Sequence, residues 1–196
     1  MTRVAAVVLA GGRGRRFRGD KLRAAFRGRP LVLWALDAAV RSRAAPVIVV
    51  TGHRAGPLRR CIRARWRHPV RMAHNRHHAA GMAGSLRRGL AAVPADCAGA
   101  VIVPADMPGL RARDIDALIA AFRPGDEAVV PVAGGRRANP VLIARAQFPA
   151  LQRMTGDRGG RGVLAAAAGV REIPGRAATL HDVDTPAQRR RLARRR

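Results

Sequence analysis

The sequence predicts an α/β fold built on a mainly parallel sheet, and three observations carry that expectation. Short runs rich in Val and Ile recur at 4–10 (VAAVVLA), 46–51 (PVIVVT), 98–105 (AGAVIVPA) and 127–132 (EAVVPV). These runs are apolar almost throughout instead of alternating, as expected of strands covered on both faces. Between them lie segments whose apolar residues recur with helical spacing, so strand and helix take turns along the chain.

Taken in order, the strand at 4–10 runs into a glycine- and arginine-rich loop at 11–22. A helix is expected at 30–42, opened by Pro30, whose fixed φ and missing N–H suit a first helical turn. After the strand at 46–51 come helices at 56–66 and 81–92, then the strand at 98–105 and a helix at 111–122. RPGDE at 123–127 reads as a turn leading into the strand at 127–132, and a helix follows at 144–153. Thr185 and Pro186 have the chemistry of an N-cap and a first helical residue, so a last helix starts there. No repeat or linker divides the chain, and its 196 residues are read as one domain, 1–196.

Hydrophobic residues make up 48% of the chain, aromatics only 3%, and Tyr is absent, so the core must be Val, Leu, Ile and Ala. Cys61 and Cys97 lie far apart without metal-ligand spacing and read as buried thiols of a reduced, cytoplasmic protein. The N-terminal apolar run is too short to span a bilayer and lacks a cleavage pattern, so no membrane association is expected.

The net charge of +26 invites a nucleic-acid reading. The basic residues are scattered instead of clustered, except in the terminal RRRLARRR, and aromatic stacking platforms are scarce. A basic nucleic-acid-binding domain is therefore the weaker alternative.

The loop VVLAGGRGRRFRGDKL (7–22) fails two familiar phosphate motifs. The P-loop pattern would need a lysine where Asp20 stands, and its hydroxyl is missing, since Lys21 and then Leu22 follow; the dinucleotide fingerprint would need a glycine at Phe17. What remains still favours an anion. Gly11 and Gly12 let backbone N–H groups approach a ligand. Arg16 can grip phosphate with two prongs and Lys21 as a point charge. Lys21 is the only lysine among 38 basic residues, and it falls in this loop. In parallel sheets ligands bind beyond the carboxyl ends of strands, which is where this loop lies.

Asp106, at the end of the strand at 98–105, projects into the same crevice, as a Mg²⁺ ligand or as a cap for the following helix. Pro108 and Gly109 stand between it and that helix, whose better starts are Ala112 to Asp114. In HDVDTPAQ (181–188), Asp182 and Asp184 either stabilise the last helix or provide a second metal ligand, for which Asp184 is chosen. His74, His77 and His78 lack a ligand pattern and are expected together in a loop.

In order, LAGGRGRRFRGDKL, AAGMAGSLRRGL, VPADMP, GRRANPVLI, GDRGGRGVL and DVDTP resemble the nucleotidyltransferases of molybdenum-cofactor synthesis, especially their cytidylyltransferases. The resemblance implies a three-layer α/β/α sandwich with a mixed, mainly parallel sheet of the nucleoside-diphosphate-sugar transferase type. It implies transfer of CMP from CTP to the phosphate of molybdopterin, with Mg²⁺ as cofactor and a molybdoenzyme or chaperone as recipient of the product. By that resemblance Leu9, Ala10, Gly11, Gly12, Arg13, Gly14, Arg16 and Lys21 bind the nucleotide, with Gly11, Gly12, Arg16 and Lys21 on the triphosphate, and Gly81 and Ser85 lie near the base and sugar. Lys21, Arg16 and Asp106 are the catalytic set, Asp106 and Asp184 the metal ligands, and Asn139, Pro140, Gly156 and Asp157 shape the acceptor side. LAGG resembles the guanylyl relatives and the later motifs the cytidylyl ones, so GTP and a sugar-phosphate acceptor remain alternatives.

Overall fold

The strands that flank the crevice come from distant parts of the chain. In the computed structural model, which describes residues 2–12, 14–17, 19–66, 70–154, 156 and 169–194, the central strand is β1 (Val4–Ala10). It pairs in parallel with β4 (Val47–Thr51) on one side and with β6 (Gly99–Pro104) on the other. β5 (Val70–His74) adds in parallel beyond β4. On the other flank β9 (Val141–Ala144) runs antiparallel between β6 and β7 (Ala128–Ala133), and β10 (Val170–Pro174) closes the edge parallel to β7. The order is β10-β7-β9-β6-β1-β4-β5, with β8 (Arg136–Arg137) hanging on β7. This is the expected mixed, mainly parallel sheet.

Alternation along β1 explains the layers. Val4, Ala6, Val8 and Ala10 face one apolar cluster, shared with α1 (Val32–Val40), α2 (Ala55–Arg65) and α4 (Ala112–Ala121). Ala5 and Val7 face the other, shared with α3 (Met82–Leu90) and α5 (Phe148–Gln152). Both faces are covered, which is why the strand reads as apolar without interruption. α6 (Pro186–Arg194) packs Leu192 and Ala193 on a small third cluster around Phe17, Phe26 and Leu31. Among the described residues, no helix is long and apolar enough to cross a membrane. Cys61 and Cys97 are unlinked, half-buried and buried respectively.

Two local expectations change. The helix assigned to 30–42 begins at Val32, because Pro30 pairs with Ala25 in a two-stranded ribbon of β2 (Ala25–Phe26) and β3 (Arg29–Pro30). A proline is tolerated on such an edge. The helix assigned to 144–153 is split: β9 ends at Ala144, and the regular α-helix starts only at Phe148.

α3 lies so close to the sheet that a Cβ built at Gly89 would press into Val7 and stand 2.9 Å from Val50 Cγ2. Both neighbours are stiff, buried β-branched side chains on different strands. Gly89→Ala is expected to destabilise the fold by about 1–3 kcal/mol, overriding the roughly 1 kcal/mol that alanine gains in a helix. Urea unfolding checks this, and an unchanged or higher midpoint would contradict the close packing.

Candidate active site

Because β1 pairs with β4 on one side and β6 on the other, the connections that leave these strands part at their carboxyl ends and open a crevice. A cavity of about 410 Å³ lies there. Leu9, Gly11, Gly12 and Gly14 line it from the loop after β1, together with Arg16 and Lys21. Gly81 and Ser85 line it from the start of α3, and Asp106 and Asp184 from the loops after β6 and before α6. Gly11 has a steric reason to be glycine: a Cβ there would stand 2.7 Å from Ser85 Oγ.

Lys21 is the centre of the charged end. Its Nζ donates to Asp106 Oδ2 at 2.6 Å and to Asp184 Oδ1 at 3.0 Å, and its side chain is only 11% exposed. Arg16 Nη2 lies 3.0 Å from Asp184 Oδ2, but this guanidinium stands at the rim, 77% exposed. The backbone explains how residues so far apart in sequence converge. The N–H of fully buried Val183 donates to the Asp106 carbonyl at 3.0 Å, pinning the 182–184 segment to the end of β6. Thr185 Oγ1 then accepts from the Gln188 N–H at 3.2 Å, while Gln188 Oε1 accepts from the Thr185 N–H at 2.9 Å. This reciprocal cap confirms the expected start of α6 at Pro186 and fixes Asp184 just before it.

Asp106, Asp182 and Asp184 each offer a carboxylate oxygen, all within 4.8 Å of one another. Three hard oxygen donors, without sulfur or imidazole, fit a divalent cation such as Mg²⁺ or Mn²⁺. Two of these carboxylates are the ones that hold the Lys21 ammonium. Burial pushes the Asp106 carboxyl above the usual carboxylate range, the Lys21 charge opposes that, and Asp182 adds to it. Burial also pulls Lys21 down, but the Asp106 and Asp184 carboxylates outweigh it and hold the ammonium above its ordinary 10.5.

The sign of the linkage follows. Because the folded pKa of Lys21 is the higher one, its contribution to stability is fully present below pH 10.5 and is lost as pH rises through the folded value. The difference in urea midpoint between the parent protein and Lys21→Met is expected to shrink above that pH. A difference that stays constant across the alkaline range would contradict the ion-pair geometry.

The other residues singled out from sequence fall in several places. Ala10 is buried beneath the loop and does not line the cavity. Gly156 accepts the Ala83 N–H through its carbonyl at 3.2 Å, so it abuts the start of α3. Asn139 and Pro140 sit between β8 and β9 and do not line the cavity. Arg13 and Asp157 lie outside the described residues. Of the three histidines expected in one loop, His74 instead ends β5, with Nδ1 3.4 Å from Thr51 Oγ1, and His78 reaches the cavity. His53 and Arg54 also line it, and sequence reading passed over them. Their signal in the sequence was position, just after β4; the structure adds that Arg54 is left-handed (φ 51°, ψ 38°), a conformation rare for arginine.

Comparison with known proteins bears on the fold and the family. The bifunctional protein GlmU of Anaeromyxobacter dehalogenans strain 2CP-C is 32% identical over 131 residues, 65% of this chain and 27% of GlmU. The chain thus spans about a quarter of the length of that curated relative. Rv0371c of Mycobacterium tuberculosis H37Rv superposes with a TM-score of 0.86 at 26% identity, covering 100% of both chains. A second structure of Rv0371c, a complex with manganese, superposes at 0.82 and 26% identity over 98% of both. The molybdopterin-guanine dinucleotide biosynthesis protein A of Archaeoglobus fulgidus shares the fold, with a TM-score of 0.73 and 19% identity over 97% of both chains. The MobA-like NTP transferase domain model matches residues 6–178, a span that starts in β1 and runs past the crevice-forming loops after β4 and β6, and the chain belongs to that nucleotidyltransferase family.

Proposed function

We propose that residues 1–196 form a cytoplasmic, Mg²⁺-dependent nucleotidyltransferase domain that moves CMP from CTP to the terminal phosphate of molybdopterin and releases pyrophosphate. One observation carries this reading. A half-buried ammonium, Lys21, stands between Asp106 and Asp184 at a glycine-lined crevice wide enough for a nucleotide.

The acceptor is already a phosphate anion, so attack on the α-phosphorus requires positioning and charge neutralisation more than a strong base. Lys21, held by two carboxylates, supplies a fixed positive charge to the triphosphate. Arg16, exposed at the rim, swings from Asp184 to grip phosphate oxygens with two prongs. The loop through Gly11, Gly12 and Gly14 offers backbone N–H groups to the same oxygens. Asp106, Asp182 and Asp184 would hold the divalent cation, which when bound neutralises charge on the transferring phosphates. Gly81 and Ser85 face the nucleoside, and Gly156, beside the start of α3, stands towards the acceptor.

A second reading takes GTP as the nucleotide. The LAGG of residues 9–12 favours it, as does the Archaeoglobus neighbour named for molybdopterin-guanine dinucleotide biosynthesis. The test is purified protein with Mg²⁺ and molybdopterin, supplied with CTP or GTP and scored by pyrophosphate, with a sugar phosphate as an alternative acceptor. Turnover with CTP and molybdopterin alone supports the first reading, and turnover with GTP alone replaces it by the second. Turnover only with the sugar phosphate removes the molybdopterin assignment.

A further inference from the structure

We infer that Asn75 is a positioning residue that aims the Ser85 hydroxyl proton into the crevice, where it donates to an acceptor atom on the nucleoside end of the bound nucleotide. The inference rests on the nucleotidyltransferase reading of the site. Asn75 follows β5 directly and is 6% exposed; its own N–H donates to the Thr51 carbonyl at 2.8 Å, tying it to the end of β4. Its side chain has one permitted orientation. The backbone N–H of His77, which can only donate, meets Oδ1 at 3.0 Å. The other terminal atom is therefore the amide NH₂, and it donates to Ser85 Oγ at 3.1 Å.

That direction decides what Ser85 can do. Its oxygen is already accepting, so its proton must point elsewhere. Among the described residues the proton meets no acceptor, although Ser85 is 5% exposed. Buried hydroxyls seldom forgo a partner. The open side is the cavity, which Ser85 and Gly11 both line, with the hydroxyl close against the backbone of Gly11. A carboxylate at position 75 would reverse the bond: it would still accept from the His77 N–H but would also take the Ser85 proton, leaving only an acceptor facing the ligand.

The experiment is a double-mutant cycle read by calorimetric titration with CTP and with GTP. Ser85→Ala and Asn75→Asp are each expected to weaken the better-bound nucleotide about tenfold, the scale of one neutral hydrogen bond. In the Ser85→Ala background, Asn75→Asp is expected to change affinity less than about twofold, because the two residues act through one proton. An Asn75 that merely supports the fold would weaken binding by the same factor in both backgrounds and would overturn the inference, as would an Asn75→Asp protein that binds as the parent does. A parent protein that binds neither nucleotide removes the CTP and GTP readings of the site and this inference with them; a parent that binds beside a silent Asn75→Asp removes only the role of Asn75. If Asn75→Asp does not fold, Asn75→Ala completes the cycle. It frees the Ser85 hydroxyl to turn, with an expected loss of about threefold in the parent and none in Ser85→Ala.

Discussion

Asp106→Ala is expected to abolish metal-dependent pyrophosphate release, a loss of at least about 10³-fold, while the fold stays intact. Among the described residues three carboxylates gather within 4.8 Å of one another, and Asp106 is the one attached to the sheet itself, just after β6. Removing it takes away a cation ligand and the shorter of the two carboxylate contacts to Lys21. The backbone link from Val183 to the carbonyl of residue 106 survives the substitution, so the 182–184 segment keeps its place. Its loss weakens the ion pair at Lys21, but Asp184 still holds the ammonium, so the variant is less stable than the parent and still folds. Pyrophosphate release, Mn²⁺ titration and thermal unfolding together check this. A variant that turns over normally and binds Mn²⁺ as the parent does would remove Asp106 from the site.

Lys21→Met is expected to move two measurements in opposite directions. Turnover falls by roughly 30- to 1000-fold, corresponding to about 2–4 kcal/mol of transition-state stabilisation. Mn²⁺ affinity of the nucleotide-free protein rises, because the ammonium and the cation draw on the same Asp106 and Asp184 carboxylates. A residue that only supported the loop would lower both together. Unchanged turnover would show that the triphosphate does not meet this ammonium. Arg16→Ala is expected to cost less than Lys21→Met, since the Arg16 guanidinium is 77% exposed and water screens it.

The central strands were legible because both of their faces are buried, which leaves a continuous apolar signature in β1, β4, β6 and β7. β5 and β10 escaped that reading. They are edge strands with exposed or half-exposed positions, so they lack the uninterrupted run. β9 escaped for another reason: its four buried residues abut a helical segment, and a short apolar run does not state its own period. The Lys21 loop and Asp106 were visible because each directly follows a recognisable strand and each is chemically conspicuous. His53, Arg54 and Asn75 also stand just after strands, but nothing in their own residue types announces a partner.

The sequence by itself determined the layered class, the glycine loop, the singular lysine, the acid at the end of β6 and the cap that starts α6. All of these are local: a run of neighbours, a turn, or a residue type out of keeping with its surroundings. The tertiary structure alone decided that β9 runs backwards, that Asp182 and Asp184 both come to Asp106, and that Asn75 donates to Ser85. Lys21 and Asp184 are 163 positions apart, and periodicity carries no information over such a distance. Which strands become neighbours depends on how whole faces pack, and those neighbours bring the loop charges within hydrogen-bonding reach.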